Sequence, residues 1–108
     1  MGPPTTASSP FPDQPPIVTI TATGASPHDL HIFARDVATF VNSDSRPHEM
    51  RSDPRQNADA RCATVGVGLL MPGESRKAEL QPSGVPCFYR DEREPSNPAL
   101  QGYVLVHY

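Results

Sequence analysis

Tryptophan is absent, lysine occurs once, at Lys77, and cysteine twice, at Cys62 and Cys87. Aromatic side chains make up only 6 % of the 108 residues, so the single domain that this length allows has a modest core. No apolar run approaches the roughly 20 residues that cross a bilayer, which excludes a membrane-spanning helix. Positive charge is not in excess. A net charge of −3 excludes a bulk attraction to nucleic acid or to an anionic membrane. No nucleophile-elbow sequence, zinc-binding helix motif or Gly-rich phosphate loop occurs, so nothing marks the chain as an enzyme. What abounds is proline, with fourteen, alongside seven glycines. Proline inside a helix costs about 3 kcal/mol, so short strands joined by turns are expected instead of long helices.

The first sixteen residues, with Pro3, Pro4, Pro10, Pro12, Pro15 and Pro16 among small polar ones, read as an extended linker, and the domain is expected over residues 17–108. An export signal or lipid anchor upstream is expected. Residues 17–23 are β-branched, with Val18, Ile20 and Ala22 on one face. Residues 24–27 read as a turn. Strands follow over residues 30–33 and 37–42, where Ala38 and Phe40 point inward. Residues 43–64 read as one long polar loop, with a short helix predicted over 57–63. Residues 65–70, 75–80, 85–89 and 102–108 complete a set of six to eight short strands, an all-β antiparallel sandwich or barrel. Leu69, Ile32, Val104 and Val106 are predicted to face the core.

The stretch Phe40-Val41-Asn42 leads into a short loop ending at His48, Met71-Pro72-Gly73-Glu74-Ser75 forms a turn before a strand, and Cys87 stands before the last polar loop. In this order the motifs resemble the cupredoxin family, over about residues 17–108. The segment His48–Pro54, the cysteines at 62 and 87, and the stretch Asn97–Gly102 are similar to those of small exported bacterial cupredoxin-like domains. The resemblance implies a Greek-key β-sandwich, an exported, periplasmic or cell-envelope location, a monomer and a redox or docking protein partner. It also implies copper and outer-sphere electron transfer, with His48 and Cys87 as ligands and Met50, Asp91 or Glu92 completing the set.

The sequence departs from the family pattern after Cys87. A blue-copper centre uses two histidines, one cysteine and a weak axial methionine. Residues 88–102 contain neither histidine nor methionine. The alternative is therefore a metal-free structural or interaction module, closed by a Cys62–Cys87 disulfide and by arginine ion pairs where the two polar loops meet. Met50 reads more readily as a side chain that caps the loop against the core than as a ligand, since methionine is a common gap-filler. His28 and His31, on a strand, point to opposite faces and make no site, and His107 is expected on the outer face of the last strand.

Overall fold

In a computed structural model, residues 15–57, 59–80 and 84–107 are described. The predicted linker falls outside them except for Pro15 and Pro16. Among the described residues, nine strands form two sheets: β1 (Ile17–Thr21), β2 (Gly24–Ser26), β3 (Asp29–Phe33), β4 (Ala38–Asn42), β5 (His48–Ser52), β6 (Gly68–Leu70), β7 (Ser75–Ala78), β8 (Pro86–Asp91) and β9 (Gly102–His107). One sheet runs β2-β1-β4-β7, the other β3-β9-β8-β5-β6. The sandwich fold is the one expected. It is not purely antiparallel, because β1 pairs with β4 and β3 with β9 in parallel. Both parallel pairs join strands that are not consecutive in the chain, as parallel geometry requires.

Period-two alternation explains why these segments sit as they do. Val18 and Ile20 of β1, Leu30 and Ile32 of β3, Ala38 and Phe40 of β4, and Val104 and Val106 of β9 all fill the space between the sheets. Phe40 meets Tyr89 edge to face, with ring centroids 5.1 Å apart, a geometry that aromatic quadrupoles favour. Burial pushes the Tyr89 phenol above its ordinary pKa. Gly102 lets β9 pass close to Tyr89, since a Cβ there would collide with the Tyr89 hydroxyl and the His28 carbonyl.

Five sequence expectations change. Leu69 faces solvent, 43 % exposed, because Gly68 and Leu70 take the inward positions of β6. Ala22 is exposed in the tight β1–β2 connection, and residues 24–26 form a strand where a turn was expected. The long polar loop contains β5, whose inward residues are His48 and Met50. A polar-looking run conceals this strand because one of its two buried side chains is a histidine. The short helix is a 3-10 helix over Ala60–Val65, capped by Asp59, which accepts from the Arg61 N–H.

At the sheet edge, Arg76 on β7 donates to the carbonyls of Val67 and Leu69, at 2.8 and 3.1 Å, and so links the two sheets.

Candidate metal end of the sandwich

The site is built by β4, β5, β8 and the loops at their ends. Asn42, the last residue of β4, is fully buried and holds the loop that follows it. Its side-chain amide donates to the carbonyls of Arg46 and Leu70, both at 2.9 Å, and its Oδ1 accepts from the Asp44 N–H. This turn aims Asp44 at His48. His48 opens β5, and antiparallel pairing of β5 with β8 sets Met50 opposite Asp91.

His48 is thereby clamped between two carboxylates. Its Nδ1 lies 2.6 Å from Asp91 Oδ2, and its Nε2 lies 2.8 Å from Asp44 Oδ2. The ring is fully buried, as is Asp91, and Asp44 is nearly so. Asp91 Oδ1 also accepts from the Glu49 and Arg93 backbone N–H groups. Arg46 reaches over the top, 3.0 Å from Asp44 and 3.1 Å from Glu94. The hydrogen bond from His48 foremost, then those from Arg46 and the Ser45 backbone, hold the Asp44 carboxyl down to about 2 against the opposing effect of its burial. Every described buried side-chain N or O atom has a hydrogen-bond partner.

The residues named from the sequence are not drawn into one cluster. His48 stands beside Asp91 at the end of β8, whereas Cys87 lies four residues back along that strand, about 13 Å at the usual rise per residue. Cys87 is bonded to Cys62, with Cα atoms 5.0 Å apart and both residues buried. This bridge fastens the 3-10 helix to β8. It does not close the end of the sandwich that holds His48, as had been expected. The Asp44–His48–Asp91 group and Arg46 do that. Met50 is fully buried among the core side chains.

A type 1 copper centre needs a thiolate and two imidazole lone pairs, with a weak axial ligand that is usually a thioether. The disulfide form offers no thiolate, residues 88–102 offer no imidazole, and both His48 nitrogens point at carboxylate oxygens. This donor set does not fit such a centre. Among the described residues, His48, Asp91 and Glu94 do bring three possible ligand atoms within 4.8 Å of one another.

The arginines of the two polar loops are largely consumed in ion pairs. Arg51 pairs with Glu49, Arg55 with Asp53, Arg61 with Asp59, and Arg90 with both Asp53 and Glu92. Asp53 is fully buried, and its carboxyl is held at about 2, first by the Arg55 hydrogen bond and further by Gln56.

Sequence reasoning passed over Asp44. Its signal was the four-residue spacing to His48 across a turn begun by a buried asparagine. It also treated His31 and His107 separately, although the parallel register of β3 and β9 makes them neighbours. Burial, and then the neighbouring His107, lower the pKa of His31, while Asp29 opposes them.

No protein-family model matches the chain, and no curated protein does. Solved structures do. A purple cupredoxin from Nitrosopumilus maritimus superposes with a TM-score of 0.66 at 21 % identity, over 83 % of this chain and 97 % of that one. An oxidised amicyanin variant gives 0.65 at 14 % identity, over 84 % and 80 %. A Cu(I) amicyanin variant gives 0.60 at 17 % identity, over 84 % and 80 %.

Proposed function

We propose that this chain, a β-sandwich of cupredoxin-like fold, serves as a metal-free, disulfide-braced protein-interaction module, with the copper end of the fold rebuilt as a closed ionic cluster. The observation that carries the reading is the double clamp on His48. Both ring nitrogens face carboxylates at hydrogen-bond distance, and a metal would have to displace a proton and break one of these bonds. The bridge at Cys87 supports it, because only a thiolate is a good copper ligand. A mixed surface of paired arginines and carboxylates suits docking to a folded partner more than to a highly charged polymer. The domain boundary at residue 17 and an exported location belong to this reading, since an oxidising compartment keeps the bridge closed.

A second reading is favoured by the fold neighbours and by the grouping of His48, Asp91 and Glu94. In it the domain holds copper for electron transfer to a redox partner, with His48 as a ligand. A copper titration followed by absorbance and EPR, on oxidised and on reduced protein with a thiol count, separates the two. The module reading expects no free thiol before reduction and no intense thiolate-to-copper band in either form. A thiolate-to-copper band that His48→Gln abolishes would overturn it.

A further inference from the structure

The rim formed by β6 and β7 brings together two arginines that come from different sheets. Arg76, on β7, has its Nη1 fixed by the Val67 and Leu69 carbonyls of the other sheet. Arg51, on β5, is held by Glu49, whose Oε2 accepts from Arg51 Nε at 3.0 Å and from Nη2 at 2.7 Å. Between the two guanidinium groups lies Gly68, the first residue of β6. Its φ of +89° is one that other residues rarely adopt, and a Cβ there would meet Arg76 Nη1 at 3.6 Å and Arg51 Nη1 at 3.9 Å. The two nitrogens are thus no more than about 7.5 Å apart, across a notch that the missing side chain leaves open.

Neither guanidinium is spent by the bonds that hold it. Arg51 uses Nε and Nη2 on Glu49, which leaves the two N–H groups of Nη1. Arg76 uses Nη1 on the two carbonyls, which leaves Nε and Nη2, and it forms no ion pair with a carboxylate among the described residues. Two positive charges therefore face the single negative charge of Glu49.

We propose that Arg51 and Arg76, bracketing Gly68, form a binding site for a phosphate-type oxyanion. The guanidinium fork matches the oxygens of a phosphate, and charge-assisted bonds of this kind are the strong ones. A phosphate accepts from Arg51 Nη1 through one oxygen and from Arg76 Nη2 through another. With hydrogen bonds of about 2.8 Å such a bridge spans roughly 8 Å, enough for the notch. A phosphate also carries close to two negative charges at neutral pH, more than a carboxylate brings, and so answers both cations. Both arginines are already anchored, one by carbonyls and the other by Glu49, so little further side-chain freedom is lost on binding.

The test is titration of the full chain with inorganic phosphate at constant ionic strength, followed by amide NMR shifts. Saturable shifts are expected to centre on residues 67–69, with Arg51 and Arg76. Arg51→Gln and Arg76→Gln are each expected to weaken binding by about fivefold or more. Arg51→Gln leaves the Arg76 link between the sheets in place, so a loss in that variant is not one of sheet-edge structure. Arg93→Gln, in the second polar loop, is expected to bind as the wild type does. O-phosphoserine is the second probe. Tighter binding than that of inorganic phosphate supports the site as one for a phosphate group carried on a partner, and binding no tighter supports it as one for the free ion. Equal phosphate affinity in the wild type and in folded Arg51→Gln would overturn the proposal. So would shifts centred on residues 46 and 93 instead of 68. Neither outcome touches the thiol count and thiolate band that decide the function proposed above.

Discussion

His48 is held by two buried carboxylates at once, and its removal tests how much that clamp contributes. Replacing it with glutamine leaves one side chain that cannot reach both Asp44 and Asp91, two buried carboxylates four and 43 residues away along the chain. A buried charge stripped of its partner costs about 3–5 kcal/mol. Urea denaturation of His48→Gln is expected to show a loss of that order, and of well under 1 kcal/mol for an exposed change such as Glu92→Gln. The position of His48 was legible because the Asn42 turn and the loop length after it follow a known pattern. Its surroundings were not. Asp91 reads in sequence as one acid in a run of alternating charges, and only the pairing of β5 with β8 separates it, fully buried, from exposed Glu92.

Among the elements, the 3-10 helix depends most on a single link. It has six residues, too few to be stable alone, and it buries only Cys62 and Val65. The Cys62–Cys87 bridge closes a separation of 25 residues, worth about 3 kcal/mol in the chain-entropy model. Cys62→Ser with Cys87→Ser is therefore expected to lower unfolding stability by about that amount. The loss should appear first as faster amide exchange over residues 60–66, measured by NMR. If exchange there stays unchanged while β8 loosens, the bridge braces the strand and not the helix. The pairing of the two cysteines was legible in the sequence, but its place was not. Reading residues 43–64 as one loop hid β5, which carries the chain away from His48 before Cys62 is reached. The bridge therefore falls along the flank of β8.

For the whole molecule, acid is the condition that finds the weak points. Asp44 and Asp53 both have carboxyls lowered from 3.8 to about 2 by partners present only in the folded chain. A lowered folded pKa stabilises at pH above the unfolded value and ceases to do so as pH falls through the folded one. Thermal stability is thus expected to hold down to about pH 4 and then to fall continuously towards pH 2, as circular dichroism melts would record. Asp53→Asn should flatten part of that fall, since its contribution is then absent at every pH. A flat profile from pH 5 to pH 2 in the wild type would mean that these pairs persist in the unfolded chain.

The Arg76 link between the sheets governs how this protein behaves in a crowd. β7 and β6 end their respective sheets on the same side, and each leaves a row of backbone groups that a strand from another molecule can copy. By occupying the Val67 and Leu69 carbonyls, Arg76 denies them to an incoming strand, and Lys77 beside it places a second positive charge on the rim. Exposed Leu69 and Met71 sit next to those carbonyls and would reward edge-to-edge contact if it began. Arg76→Ala is expected to leave the fold intact and to make the chain self-associate, seen as a rise in light scattering with concentration that the wild type does not show. On that expectation, one side chain on an edge strand sets the concentration at which folded chains begin to adhere to one another.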